Sequence, residues 1–165
     1  MLTKIRRFML FVAITAAFTA VGCSKKQQPE DVPVPTAASA DENIATGDSD
    51  SGMAMGLQTV RFPYDSFVLD QEAKQVLKSN ADILKDKTSL KVQIEGHCDQ
   101  RGGIQYNIAL GEKRANIVKK YLEDLGISGE RITTISFGKE RPLDQGSSES
   151  AFAQNRRANF VITSR

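Results

Sequence analysis

The sequence is poor in the side chains that form disulfides and metal sites. Only two cysteines and one histidine occur among its 165 residues. A metal site at His97 would need cysteine and aspartate partners at spacings that the chain lacks, so we expect neither a metal nor another cofactor. Charge of one sign is not in excess, with 22 Lys and Arg against 20 Asp and Glu. This balance argues against a nucleic-acid-binding protein and against an acidic disordered chain.

The charges are unevenly distributed, and they divide the chain into three segments. Residues 1–22 carry a net charge of +3, residues 23–56 carry −4 and residues 57–165 carry +3. The hydrophobic share of 40% is sufficient for one ordinary core. We therefore expect one folded domain, preceded by two segments with other roles.

The first segment has the pattern of a secretory signal peptide. Lys4, Arg6 and Arg7 precede an apolar run over residues 8–21, which is interrupted only by two threonines. A run of 14 residues forms about 21 Å of helix, whereas the hydrocarbon core of a bilayer is roughly 30 Å thick. A permanent transmembrane anchor is therefore the weaker alternative.

Cys23 follows this apolar run after a single glycine, Gly22. The stretch from Ala20 to Cys23 resembles the lipobox of bacterial lipoproteins, which implies that Cys23 becomes the first mature residue and carries acyl chains. Two or more acyl chains hold a protein firmly on a membrane. Ser24 resembles the second residue of lipoproteins sent to the outer membrane, so we expect an outer-membrane protein that faces the periplasm. The alternative is an ordinary signal peptide with an incidental cysteine.

Residues 23–56 are predicted to form a disordered linker. They contain three prolines and no aromatic residue, so too little apolar surface is available to offset the entropy of ordering. As a flexible coil, a linker of this length spans roughly 30 Å. These dimensions suit a tether between a membrane and a folded domain.

Periodic apolar patterns begin after residue 56 and alternate between strand and helix. Leu90, Val92 and Ile94 alternate with polar residues, which predicts a strand with one buried face. Asp70 is a typical helix N-cap. The predicted order is strand 57–62, a helix opened by residue 70, strand 90–95, helix 106–125, strand 132–137, a short helical turn over 151–155 and strand 158–163.

This alternation predicts an α+β fold for residues 57–165. We expect a two-layer sandwich in which the helices pack on one face of a mixed four-stranded sheet. A doubly wound sheet, covered on both faces, would have continuously apolar strands instead. Arg156 and Arg157 are interpreted as the edge of a loop and the start of the last strand.

A charged loop between the second strand and the second long helix is the candidate site. Asp99 lies just beyond the end of the strand, and Leu110 and Arg114 lie one helical turn apart on a common face. A carboxylate and a guanidinium held apart at a groove would fit a zwitterion. On spacing alone, the simpler alternative is that Asp99 and Arg114 pair with each other or with solvent.

Three blocks of sequence, in this order along the chain, resemble one family: GHCDQRGGIQYNIALGEKRANIVKKYL at 96–122, SFGKERP at 136–142 and NRRANFVI at 155–162. They are similar to the OmpA-like peptidoglycan-binding domain, and more closely to the peptidoglycan-associated lipoproteins of Gram-negative bacteria. The resemblance covers about residues 57–165. It implies non-covalent binding of peptidoglycan, and a partner in the Tol system, chiefly its periplasmic β-propeller protein.

The same resemblance implies a set of residues that serve the stem peptide: Tyr64, Asp65, Asp99, Asn107, Leu110 and Arg114. Asp99 and Arg114 would hold the charged end of diaminopimelate, and Leu110 would form part of the pocket wall. Tyr64 and Asp65 would face the stem peptide from the loop after the first strand. The asparagine would support the loop and the helix cap and could contact the ligand.

His97 and Cys98 leave an enzymatic alternative open. A thiol nucleophile needs a base positioned beside it, but neighbouring residues at a strand end point to opposite faces. If Cys23 is acylated, Cys98 is either free or paired between chains, and we interpret it as a small buried residue. A further alternative is a lipoprotein with a purely structural role or one devoted to a protein partner.

Overall fold

The computed structural model describes residues 47–165, in which three α-helices accompany a four-stranded mixed sheet. In chain order the elements are β1 (Val60–Arg61), α1 (Gln71–Asp86), β2 (Lys91–His97), α2 (Ile104–Asp124), β3 (Ile132–Gly138), α3 (Glu149–Asn155) and β4 (Arg157–Ser164). The predicted fold class is confirmed. The predicted signal peptide, Cys23 and most of the predicted linker lie outside the described residues. Within the described range no helix is both long and apolar enough to cross a bilayer.

The strands lie side by side in the order β1-β4-β2-β3. β4 is antiparallel to both of its neighbours, whereas β2 and β3 are parallel and are joined by a crossover through α2. Val92 at the start of β2 pairs with Ile132 of β3 and with Ile162 of β4. This topology places the end of β2 in the middle of the sheet, next to the start of α2.

Local sequence explains where the two long helices begin and end. The Oδ1 of Asp70 accepts a hydrogen bond of 2.8 Å from the backbone N–H of Ala73, which is the N-cap that the sequence predicted. α2 starts at Ile104, two residues before its predicted start, because Gly103 is the extended N-cap residue. Gly126 follows α2 with a φ of +94°, a conformation that glycine adopts without strain.

The core lies between the two long helices and one face of the sheet. β2 and β4 contribute side chains from alternate positions, and for β2 this confirms the predicted period-2 pattern. The helices contribute an apolar stripe each, with Leu77 and Leu122 fully buried. The central members of this core are Leu77, Leu84, Val92, Ile94, Val118, Leu122, Phe160 and Ile162.

Two glycines let α2 lie directly against the end of β2. A Cβ atom added at Gly96 would collide with the backbone carbonyl of Gly111, and one added at Gly111 would collide with the Ser136 hydroxyl. No side chain fits at either position. The close contact fixes the distance between α2 and the loop that begins at Cys98.

The ordered domain begins earlier than the sequence predicted. The backbone N–H of Ile162 donates to Gly47, and that of Ser49 donates to Phe160, at 3.0 and 2.9 Å. Asp50 also forms a buried ion pair of 2.7 Å with Arg157. The prediction of a disordered linker up to residue 56 is therefore wrong for residues 47–56. These residues are ordered because β1 pairs with only two residues of β4. The rest of that edge of β4 is therefore free to bond with the chain that precedes β1.

We predict that Gly96→Ala destabilises the domain by about 3 kcal/mol, because the added methyl group must push α2 away from β2. Urea unfolding followed by circular dichroism measures this change. Gly103→Ala is the matched control, since its backbone is extended and its Cβ would meet no atom within 4 Å. We expect the control to lose about 1 kcal/mol or less. Equal losses in both variants would contradict the role of the close contact.

Candidate functional site

A pocket of about 110 Å³ lies where the loop after β1, the loop after β2 and α2 meet. It is lined by Tyr64, Asp65, Cys98, Asp99, Arg101, Gly102, Tyr106, Asn107, Leu110, Arg114 and Arg156. The structure therefore brings all six residues of the predicted set to one pocket. Asp99 follows β2 and three of the six lie on α2, whereas Tyr64 and Asp65 lie on the loop after β1.

The Arg114 guanidinium forms the inner wall of the pocket and is almost fully buried, with a relative exposure of 1%. Its Nε donates to the carbonyl of Ser66 at 2.9 Å, its Nη1 to that of His97 at 2.8 Å and its Nη2 to that of Pro63 at 3.1 Å. Nη1 also lies 3.5 Å from the sulfur of Cys98. Burial lowers the pKa of Arg114, but an arginine remains charged at neutral pH. The pocket therefore contains a buried cation that is bound by uncharged groups.

Asp99 belongs to a network of two carboxylates and two guanidiniums. Arg101 donates to both of its oxygens, through Nε at 3.2 Å and Nη2 at 2.6 Å, and Arg156 donates through Nη1 at 3.3 Å. Glu149, on α3, accepts from the same two arginines at 3.1 and 2.8 Å. We call Asp99, Arg101, Glu149 and Arg156 the four-charge cluster. Burial alone would raise the pKa of Asp99, but the hydrogen bonds from Arg101 and Arg156 outweigh it and lower that pKa.

Asp99 and Arg114 do not form an ion pair with each other, although they line the same pocket. The structure thus has the separated arrangement of carboxylate and guanidinium that a zwitterion would require. The simpler alternative, a direct ion pair between Asp99 and Arg114, does not occur among the described residues.

Aromatic side chains form the rim of the pocket. The Arg101 guanidinium lies over two rings, 4.0 Å from the centre of Tyr64 and 4.5 Å from that of Phe152. Tyr106 donates a hydrogen bond from its hydroxyl to Asp65, and this bond raises the pKa of the phenol. Asp65 has a φ of +50°, in the left-handed region that aspartate tolerates better than most residues. Tyr64 and Tyr106 remain more than half exposed at the rim.

Asn107 and Leu110 lie on the first turns of α2 and are both buried. The Asn107 side-chain amide donates to the carbonyls of Arg101 at 2.7 Å and of Gly103 at 3.2 Å. These bonds hold the loop against the start of the helix. Leu110 supplies an apolar wall between them and Arg114.

Sequence reasoning missed Arg101, Tyr106 and Arg156 as pocket residues. Arg156 and Arg157 do stand at a loop edge and a strand start, but Arg156 donates to Asp99 and Arg157 pairs with Asp50. Two adjacent arginines at the start of a buried strand were the available signal. Most buried charges in proteins are paired, so two adjacent arginines at this position indicated acidic residues nearby.

His97 and Cys98 point in different directions, as the sequence predicted. His97 lies 3.4 Å from Glu95 and stacks on Phe137, whereas the Cys98 thiol donates to the carbonyl of Asn107 at 3.3 Å. Cys98 is free and buried, which confirms its interpretation as a small buried residue. Burial raises the pKa of the Cys98 thiol and lowers that of His97. A neutral thiol with no adjacent base is a poor nucleophile.

Comparison with known proteins agrees with this architecture. Residues 61–156 match the model of the OmpA family. The chain belongs to the OmpA family. It is 34% identical over 155 residues to a peptidoglycan-associated lipoprotein of Pasteurella multocida, covering 94% of this chain and 96% of that one. A relative of the same name in Pseudomonas aeruginosa is 42% identical over 112 residues, which are 68% of this chain and 66% of the relative.

A solved structure shares the fold as well as the sequence. The crystal structure of the peptidoglycan-associated lipoprotein from Burkholderia pseudomallei superposes with a TM-score of 0.63 at 35% identity, covering 68% of this chain and 96% of that chain. The family resemblance inferred from the three sequence blocks is thereby confirmed.

We predict that acid destabilises the domain partly through Asp99. Its pKa is lower in the folded than in the unfolded state, so the folded carboxylate contributes stability above about pH 4 and loses it as pH falls through the folded pKa. The free energy of unfolding, measured with urea between pH 6 and pH 2.5, should fall less steeply with decreasing pH in Asp99→Asn than in the wild type. Asp82→Asn, an exposed position on α1, should keep the wild-type slope. An unchanged slope in Asp99→Asn would contradict the assignment.

Proposed function

We propose that the protein is an outer-membrane lipoprotein that binds peptidoglycan non-covalently through the diaminopimelate of the stem peptide. By binding there it would hold the outer membrane to the cell wall. Support comes from relatives named peptidoglycan-associated lipoproteins, one of which aligns over nearly the whole chain. Membership of the OmpA family points to the same function.

The observation that carries this proposal is the pair of separated charges in one pocket. The free end of diaminopimelate bears an ammonium and a carboxylate on the same carbon. Arg114 presents a guanidinium to the pocket, and Asp99 presents a carboxylate from the loop after β2. We infer that Arg114 binds the carboxylate and that Asp99 faces the ammonium. Leu110 would pack against the methylene groups between the two ends of the ligand.

The rim residues suit the remainder of the stem peptide. Tyr64 and Tyr106 expose 59% and 54% of their surfaces beside the pocket. Asp65 accepts only the Tyr106 hydroxyl among the contacts of the described residues, so its second oxygen can accept from a peptide N–H. We propose that Tyr64 and Asp65 contact the stem peptide outside the pocket, while Asn107 maintains the loop.

We propose that acyl chains on Cys23 anchor the protein in the outer membrane, with the folded domain facing the periplasm. The chain from residue 23 to the first described residue would then connect the membrane to the domain. This part of the proposal rests on the lipobox-like stretch and on the names of the relatives.

We predict that Cys23→Ala abolishes membrane association without altering the domain, because the acylated residue lies far along the chain from the core. Detergent-phase partitioning of cell extracts measures this change. The wild type should enter the detergent phase, and the variant should stay in the aqueous phase. A variant that still partitions into detergent would contradict acylation at Cys23.

A partner in the Tol system, chiefly its periplasmic β-propeller protein, is part of the same proposal. Apolar side chains around the pocket remain exposed, with Val68 at 65%, Ile104 at 53% and Phe67 at 40%. Exposed apolar side chains on the two elements that border a polar pocket favour a protein contact there. A propeller protein that covers this surface would compete with peptidoglycan for the domain.

We expect no catalysis. The buried Cys98 thiol holds its proton, and the sole histidine of the chain is directed at Glu95. The second candidate function is that of a lipoprotein that binds only a protein partner. The exposed side chains of Phe67, Val68 and Ile104 favour this alternative. The function of such a protein would not change when Asp99 or Arg114 is replaced by an uncharged residue.

We predict that Asp99→Asn and Arg114→Gln weaken cosedimentation with purified peptidoglycan, the second by about tenfold or more. Losing a hydrogen bond to a charged group costs about 1.5–3 kcal/mol, and 1.4 kcal/mol is a factor of ten in affinity. The measurement is the fraction of full-length protein that sediments with sacculi over a range of concentrations.

Two matched variants serve as controls. Arg61→Gln and Asp82→Asn make the same chemical changes at exposed positions outside the pocket, and both should bind like the wild type. Thermal melting establishes that each variant is folded. If folded Asp99→Asn and Arg114→Gln both cosediment normally, the pocket is not the peptidoglycan site.

A further inference from the structure

The described chain joins the sheet at the end opposite the pocket. Residues 47–50, which we call the arm, run antiparallel to β4 along the edge that β1 leaves open. Gly47 accepts the backbone N–H of Ile162, close to the last residue of β4. The pocket lies at the other end of this strand, where Arg156 lines it just before the strand begins at Arg157. From Ile162 back to Arg157 the strand spans roughly 17 Å.

Hydrogen bonds join the arm to β4 along its length. The backbone N–H of Ser49 donates to the carbonyl of Phe160 at 2.9 Å, and the Ser49 hydroxyl accepts the N–H of Phe160 at 2.9 Å. The Oδ1 of Asn159 accepts the Ser49 hydroxyl at 2.8 Å and the backbone N–H of Asp50 at 3.1 Å. Backbone bonds between antiparallel strands lie perpendicular to the strand direction. A pull along the strand therefore acts across these bonds, and several must break together.

The arm ends in a buried ion pair on the side of the pocket. The Nε of Arg157 donates to the Oδ2 of Asp50 at 2.7 Å, and the two side chains are only 4% and 8% exposed. The Oδ1 of Asp50 accepts the hydroxyl of Thr59 at 2.8 Å, which connects the arm to the residue before β1. Asp50 is the carboxylate that pairs with Arg157 in the described part of the chain. Displacement of the arm would leave a buried guanidinium without its counter-ion, which is strongly unfavourable.

We propose that residues 47–50 form a mechanical clamp, which holds the domain together when it is pulled between a membrane anchor and the cell wall. This inference rests on the proposed function, with an anchor at Cys23 and a ligand in the pocket. The anchor would then pull on Gly47, and the ligand would pull from the opposite end of β4. The load is therefore directed along the strand, and the bonds of the arm resist it together. An arm that ran in the opposite direction would instead peel off one bond at a time.

The test is single-molecule force spectroscopy of the full-length protein in two pulling geometries. One handle is attached to the thiol of Cys23, in protein produced in the cytoplasm without acylation, while Cys98 is protected by burial. In the first geometry the second handle is attached through Gln105→Cys, an exposed position beside the pocket at the start of α2. In the second geometry it is attached to a cysteine added after Arg165, at the same end of β4 as Gly47.

We expect the first rupture to need about twofold more force, or higher, in the first geometry. There the bonds of the arm must break together, whereas in the second geometry they break one after another. Asp50→Asn should lower the rupture force in the first geometry, because it removes the charge that pairs with Arg157. Asp48→Asn is the matched control and should keep the wild-type force. The Asp48 carboxylate accepts the backbone N–H of Ser51, and its described contacts include no bond to β4.

The outcomes separate this inference from the proposed function, because the handles require neither acyl chains nor peptidoglycan. Equal rupture forces of the wild type in the two geometries overturn the clamp and leave peptidoglycan binding intact. Failure of the protein to cosediment with sacculi overturns the proposed function, and with it the source of the load. If Asp50→Asn does not fold, Ser49→Ala replaces it, since that change removes the hydroxyl bonds to Phe160 and Asn159. An unchanged rupture force in the folded variant also contradicts the clamp.

Discussion

Hydrogen bonds from the buried Arg114 guanidinium hold the elements of the candidate site together. This one side chain, on α2, donates to carbonyl oxygens of Pro63 and Ser66 in the loop after β1 and of His97 at the end of β2. The guanidinium therefore connects α2 to two segments that are distant in sequence, the loop after β1 and the end of β2. Because carbonyl groups solvate the charge without neutralising it, the fold retains a positive site that faces the pocket. The same contacts thus determine both the shape of the pocket and the anion that it favours.

The loop after β2 is positioned by a second set of charges. The four-charge cluster connects that loop to α3 and to the start of β4. Its members satisfy one another, so they fix the geometry of the pocket and leave the Arg114 charge uncompensated. The contact between Gly96 and Gly111 sets the separation of strand and helix beneath the loop. The ion pairs of the cluster are therefore distinct from the Arg114 cation, although Asp99 belongs to the cluster and also lines the pocket.

Much of this arrangement could be predicted from sequence. The alternation in β2 and the Asp70 cap gave clear signals because each depends on a few neighbouring residues. The six predicted site residues do line one pocket. Asp99, Leu110 and Arg114 could be placed from a strand end and a helix face, whereas Tyr64, Asp65 and Asn107 came from the family resemblance. Arg101 bonds to Glu149 and Arg156 bonds to Asp99, 48 and 57 positions away, and local patterns do not identify such distant partners.

The ordering of residues 47–56 was missed for a related physical reason. Composition predicts disorder when a segment has little apolar surface to bury. Here the ordering comes from backbone hydrogen bonds to β4 and from the buried pair of Asp50 with Arg157.

A crystal structure of the protein bound to a diaminopimelate-containing muropeptide tests the central claim most directly. We expect a ligand carboxylate oxygen within about 3 Å of Nη2 of Arg114. A muropeptide bound outside this pocket, or one with its ammonium facing Arg114, would contradict it.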